Sequence, residues 1–224
     1  MKIISIFISV FILGSLFSCN KTDFNYPAGT VGESKIVFFA AINTNGDKIV
    51  AVNEGTGYTD PGATATLNGA AAQYTTSKVI DASTAPGVYT INYTASNPQG
   101  FKANDFRIVV VIPSAMVNDP TVQSNDFSGT YLRAATGITS TWTKIGIGTY
   151  AVENPGGAGG GAGLPVIVEN TSGNAITIPD QQSPYFGSEV SSSGESYDPT
   201  PPATYSWIFL ASGYGTGVRT FVKQ

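Results

Sequence analysis

Apolar and polar positions alternate with a period of two along most of this chain, the pattern of half-buried strands. The clearest run is GVYTINYTAS at 87–96. There Tyr89, Ile91, Tyr93 and Ala95 fall on one face, and Val88, Thr90, Asn92 and Thr94 on the other. KIVFFAA from Lys35 and KIVAVNEG from Lys48 read as strands flanking the Asn-Gly turn signal of TNGD (44–47), hence as a hairpin. GYTDPGATATLNG (57–69) places a Pro-Gly turn before another alternating run. FKANDFRIVVVI (101–112) ends the series, and Pro113 stops it. Residues 35–113 therefore read as a β-sandwich of six or seven short strands.

A polar, proline-containing segment, 114–125, reads as a linker. Beyond it, 126–224 alternates again: Tyr131, Trp142, Ile145, Ile147 and Tyr150 lie on short segments among Thr and Ser. GLPVIVENTSGNAITIPDQ (163–181) reads as two strands about a TSGN turn, and TYSWIFLASGYGTGVRTFVKQ (204–224) as a final hairpin. The expected form is a small antiparallel β-barrel or meander. SPYFGSEVSSSGESYDPTPP (183–202) reads as a long polar loop.

Composition agrees with an all-β chain. The 224 residues include 26 Gly and 13 Pro, with only 12% charged. The net charge is −4, and 126–224 holds four Lys/Arg against seven Asp/Glu, so no basic patch exists to neutralise nucleic-acid phosphates. The absence of histidine removes Ser-His-Asp and Cys-His catalysis and the commonest zinc ligand.

The N-terminus departs from the alternating pattern. Met1-Lys2 precedes the apolar run IISIFISVFIL (3–13), which is short for a bilayer span and suited to a secretory signal. LFSC, Leu16 to Cys19, resembles a bacterial lipobox, and Cys19 is the only cysteine. That resemblance implies a signal peptide at 1–18, acylation of Cys19, an acylated tether at 19–34, and, with Asn20 following, an outer-membrane lipoprotein, expected at the cell surface with the periplasmic face as the alternative. The plain alternative is a signal peptide with an incidental cysteine.

Two further resemblances follow from motifs. Tyr58-Thr59-Asp60-Pro61-Gly62-Ala63, and Gly87-Val88-Tyr89 running to Tyr93-Thr94-Ala95, resemble the Ig-like repeats of bacterial surface proteins. The resemblance implies an Ig-like fold over about 36–112. DFSGTY (126–131), GGGAGLP (159–165) and GYGTGVRTF (213–221) resemble C-terminal domains of unassigned function in Bacteroidota-type surface lipoproteins. Some of those sit beside polysaccharide-uptake machinery, and several bind glycans.

Sharper chemistry finds little support. NPGGAGGGAGLP (154–165) formally offers Gly157-x-Gly159-x-x-Ala162, but Leu164-Pro165 and a strand follow instead of a helix, so no nucleotide partner is expected. Asp60 reads as turn chemistry in preference to a calcium ligand. Glu169, Asp180, Glu189, Glu195 and Asp198 are available to a glycosidase, yet no spacing pairs them. No enzyme activity, cofactor or metal is expected. Aromatic rings that can pack against sugar C–H faces are Trp142, Tyr185, Phe186, Tyr197, Trp207 and Tyr214. The expected function is glycan binding or an accessory role in polysaccharide uptake. The alternative is a structural or adhesive surface protein that contacts other proteins.

Overall fold

A computed structural model describes residues 28–31 and 34–224, so the signal segment 1–18 and Cys19 lie outside the described residues. The chain divides into two units, residues 1–38 and Phe39–Gln224. In the first, β1 (Thr30–Val31) pairs antiparallel with β2 (Ser34–Lys35) in a minimal hairpin, within and just past the stretch read as tether.

The second unit begins with a sandwich. One sheet has the order β3-β5-β6, from β3 (Ala40–Thr44), β5 (Ala63–Leu67) and β6 (Ala70–Ala71). The other has the order β4-β9-β8-β7, from β4 (Ile49–Asn53), β7 (Tyr74–Thr76), β8 (Gly87–Ser96) and β9 (Lys102–Ile112). Ile42, Ala63, Ala65, Ile91, Tyr93, Ala95, Val109 and Val111 fill the space between them.

Two expectations are corrected here. The segments around TNGD form no hairpin: β3 pairs with β5, whereas β4 pairs in parallel with β9. The Asn-Gly turn carries the chain across the end of the sandwich, where the Arg107 guanidinium donates to the carbonyls of Asn45 and Asp47. Nor does the first strand begin at Lys35. Pairing stops at Ala40 opposite Leu67, because β5 then turns away through Asn68 and Gly69, both at positive φ, and leaves residue 39 no partner.

The predicted linker is folded. Asp119 caps α2 (Pro120–Ser124) by accepting from the N–H groups of Thr121 and Val122, with Pro120 at the first helical position. With α1 (Ser114–Val117), it buries Met116 and Val122 against Ile112.

A nine-stranded antiparallel sheet follows. In chain order its strands are β10 (Gly129–Arg133), β11 (Ile138–Gly146), β12 (Thr149–Glu153), β13 (Pro165–Ser172), β14 (Ala175–Thr177), β15 (Gln181–Ser183), β16 (Ser188–Asp198), β17 (Thr204–Leu210) and β18 (Val218–Lys223). Their order in space is β14-β13-β12-β11-β10-β18-β17-β16-β15. The sheet curls until its edges meet. Ser192 N–H donates to the Ile178 carbonyl (3.2 Å), and the Gln181 side chain bonds both N–H and C=O of Ile167 (2.9 Å each). Closure is thus made by isolated bonds and side chains, without a continuous ladder.

The expected polar loop at 183–202 is largely β16, an eleven-residue strand. Its serines satisfied no apolar alternation, but β15 and β17 bond it on both sides, with a bulge between Ser193 and Ser196.

Sandwich and curled sheet share one apolar layer. β9 alternates between two cores: Val109 and Val111 face the sandwich, while Ile108 and Val110 meet Ile167 of β13 together with Ile49, Val88 and Ile145. β13 does the same, sending Val166 and Val168 into the curled sheet.

Candidate functional site

The concave side of the curled sheet is where a barrel-like fold would hold a ligand. Here it is filled. Trp142 and Trp207 stack at 5.7 Å, and Tyr131, Tyr150, Tyr205, Phe209 and Phe221 pack around them. Tyr205 and Phe221 stack at 4.5 Å. Burial pushes the Tyr131 and Tyr205 phenols far above their ordinary range, and Tyr150 up to about 12. The two tryptophans singled out for glycan contact are core residues and offer no face to solvent.

The glycine-rich loop closes one end of this core. Pro155 O accepts the Trp207 indole N–H at 2.9 Å. Asn154, at positive φ, accepts Ala158 N–H on its side chain, and Arg133 donates to the carbonyls of Gly156 and Gly157. A Cβ on Gly156 would lie 2.1 Å from the Tyr214 ring, so the glycines permit the backbone to be a plug.

The remaining aromatic candidates separate. Tyr185 packs edge-on to Phe106 at 5.0 Å, inside the layer between sandwich and curled sheet, where burial raises its phenol. Phe186 and Tyr214 lean on each other and on Phe209, half-buried. Tyr197 lines a groove. Its ring stacks on Phe127 at 4.0 Å, and its hydroxyl lies 3.3 Å from that of Tyr131.

That groove has a volume of about 520 Å³ and lies between the start of the curled sheet and the β16–β17 turn. Tyr197, Pro199, Pro201 and Pro202 form its apolar wall; Asn125, Asp126, Lys223 and Gln224 supply polar groups. Ser128 bonds to Asp126, and with Lys144 and Lys223 nearby the carboxyl is held below its ordinary range, so it is an acceptor at neutral pH. Lys223 Nζ lies 5.7 Å from the Tyr131 ring centroid. Prolines, a tyrosine, one anion and one cation around a shallow groove suit a ligand with alternating C–H and hydroxyl faces. The sequence pattern marked Tyr197 but missed its partners; YDPTPP beside it was the available signal.

A second, more polar groove of about 400 Å³ runs between β8 and the β15–β16 hairpin, lined by Lys78, Tyr89, Thr90, Asp180, Gln182 and Glu189. The Lys78 ammonium covers the Tyr89 ring at 4.4 Å, which blocks that ring as a stacking platform. The other carboxylates weighed from sequence are engaged or buried: Glu195 accepts from Ser192 and Thr177, Asp198 from Thr200 N–H, and burial raises Glu169. No group of three or more His, Cys, Asp or Glu side chains gathers among the described residues as a metal site would need. Asp60 accepts from Gly62 N–H (3.0 Å) and Tyr93 OH (2.7 Å) and sits 3.4 Å from Arg107 Nε, which ties its turn to the sandwich core.

The fold defines an all-β protein with an Ig-like sandwich docked on a curled antiparallel sheet. Residues 42–111 match the family model of the bacterial surface protein Ig-like domain, which explains the motifs: Asp60 of the first and Tyr93 of the second meet at Arg107. A similar solved structure is the crystal structure of a lipoprotein from Bacteroides thetaiotaomicron. It shares 21% identity and a TM-score of 0.43, over 83% of this chain and 100% of that one. No curated protein matches the chain. No helix among the described residues is long and apolar enough to cross a membrane.

Proposed function

We propose that the protein is an acylated outer-membrane lipoprotein at the cell surface, held by Cys19, that binds a glycan beside Tyr197 without cleaving it. In this reading it serves a polysaccharide-uptake system as a binding accessory. The groove formed by Tyr197 and the proline turn carries the reading: it is the place where a predicted aromatic candidate lines an open groove with polar groups at its rim. The surface assignment is supported by the Ig-like domain of 42–111 and by the leader pattern ending at Cys19.

Calorimetric titration of the mature chain against a panel of neutral and mucin-type polysaccharides tests it. At least one is expected to bind at millimolar concentration or tighter. Tyr197→Ala is expected to weaken that binding about tenfold, while Tyr197→Phe keeps it, because stacking uses the ring and not the hydroxyl. If no polysaccharide binds, the glycan reading is lost. Release of new reducing ends would make the protein an enzyme, with Asp180 and Glu189 of the second groove the first carboxylates to replace.

An adhesive role has one observation in its favour. Ile208, Leu210 and Val218 face outward together on β17 and β18, with Leu210 and Val218 exposed. Adhesion to a purified surface protein that survives Tyr197→Ala but not Val218→Asp would favour that role.

A further inference from the structure

One end of the sandwich carries little charge and two exposed phenylalanines. It is where the chain enters, at Phe39. Residues 39–40, 67–70 and 96–103 meet there, and Lys102 is the one charged residue in the three segments. Farther along the strands come Asp105, bonded to Thr44 and Lys48, and then the cluster of Asp47, Asp60 and Arg107. β3 and β9 both start at this end and run the same way: Phe39 meets Phe101 and, farther along both strands, Thr44 bonds Asp105.

At this end Phe39 is 65% exposed and Phe101 is 52% exposed, with ring centroids 5.3 Å apart. The turn that presents Phe101 is fixed. Asn97 Oδ1 accepts from Gln99 N–H (3.1 Å) and Phe101 N–H (2.9 Å), and Asn97 N–H donates to Phe101 O (3.0 Å). The pair covers only part of each ring and leaves both more than half exposed on a fixed turn, which marks a contact surface.

The position of the pair along the chain identifies what it meets. Cys19 lies twenty residues before Phe39, and that length of chain spans at most about 70 Å when fully extended. An anchor at Cys19 therefore keeps this end of the sandwich within reach of the bilayer at all times and raises its local concentration there. Phenylalanine rings suit the headgroup boundary, and the charges nearest the pair, Lys102 and the Lys48–Asp105 ion pair, present no net negative charge to lipid phosphates. We infer that the Phe39–Phe101 end of the sandwich is a membrane-contact face that seats the domain in the lipid headgroup layer. This inference rests on the anchored reading of Cys19.

The test uses the full acylated protein in vesicles of phosphatidylethanolamine and phosphatidylglycerol, with Phe101→Trp as reporter. Trp142 and Trp207 are buried and set the parent baseline. The F101W emission is expected to shift to the blue and to be lost when brominated lipids are introduced. Val79→Trp, at a site 80% exposed elsewhere on the sandwich, is expected to stay at the parent level. An unquenched F101W overturns the inference, and so does equal quenching of both reporters, since the contact would then belong to no particular face. A dimer in detergent that the double variant Phe39→Ser/Phe101→Ser converts to monomer also overturns it, in favour of self-pairing. The anchor is read separately by fractionating cells that carry Cys19→Ala. If that variant stays with the membrane like the parent, the anchored reading fails and this inference loses its basis. If it is released while F101W remains unquenched, the contact face alone fails.

Discussion

Asp105 shows how one carboxylate fastens the sandwich. Burial by itself would raise its pKa. The Lys48 ammonium at 2.6 Å, with the Thr44 N–H and hydroxyl at 2.7 and 2.8 Å, more than offsets that and brings it down to about 2. An acid whose folded pKa lies below its unfolded value of 3.8 stabilises the fold above that value. The contribution fades as pH falls toward 2. Lys48 is about half exposed, so solvent screening trims the gain. Asp105→Asn is expected to cost about 1–2 kcal/mol in urea unfolding at pH 7. The difference between variant and parent is expected to shrink steadily below pH 4 and to vanish only below pH 2. A difference that stays constant with pH would mean that Asp105 acts through shape and not charge. Arg107 does related work without titrating: it buries its guanidinium, bonds Tyr93 OH at 3.2 Å, and holds the β3–β4 crossing by two carbonyls.

Among the elements, the folded connector between the two sheet systems depends most on a single position. Gly148, at φ +61°, lies in the turn just before β12, beneath the connector, where a Cβ would lie 2.5 Å from Val122 and 2.8 Å from the Asn170 carbonyl. Gly148→Ala is expected to cost on the order of 3 kcal/mol, from left-handed backbone strain plus displacement of α2. Thermal unfolding measures it, and a loss below about 1 kcal/mol would show that the connector gives way freely. The sequence pattern found most strands because their alternation faces one core each, as in Tyr89 to Ala95. It missed β16, whose faces carry serine, and it put a hairpin at TNGD, because turn chemistry specifies a local reversal but not which sheet each arm joins. It favoured Tyr197 with Tyr185 and Phe186 over Trp142 and Trp207, yet could not separate the three from one another. A half-exposed ring and a core ring carry the same letter pattern, and only the curl of nine strands decides which side faces in. The connector carried its own signal in Asp119-Pro120, an N-cap followed by proline, beneath an otherwise polar composition.

For the whole molecule, the decisive feature is that sandwich and curled sheet are not beads on a string. IVVVI in β9 and PVIV in β13 are continuous apolar runs, the form a strand takes when both its faces are covered. Each serves its own core with alternate residues and sends the others, Ile108, Val110 and Ile167, into the shared layer. A rigid pair of domains would hold the Tyr197 groove at a fixed distance and angle from the Phe39 end of the sandwich, and so from any membrane that end meets. Because both cores contact that layer, the parent is expected to unfold in one calorimetric transition. Ile167→Asp places a charge in the layer while leaving Val166 and Val168 in their own core. It is expected to weaken the coupling by on the order of 3 kcal/mol or more and to split unfolding into two transitions. Small-angle scattering of the variant is expected to show a larger radius of gyration, as the halves separate about the connector. A parent that already melts in two steps, or a variant that lowers the melting temperature without splitting the transition or expanding the particle, would mean that the shared layer covers surface without coupling the two halves.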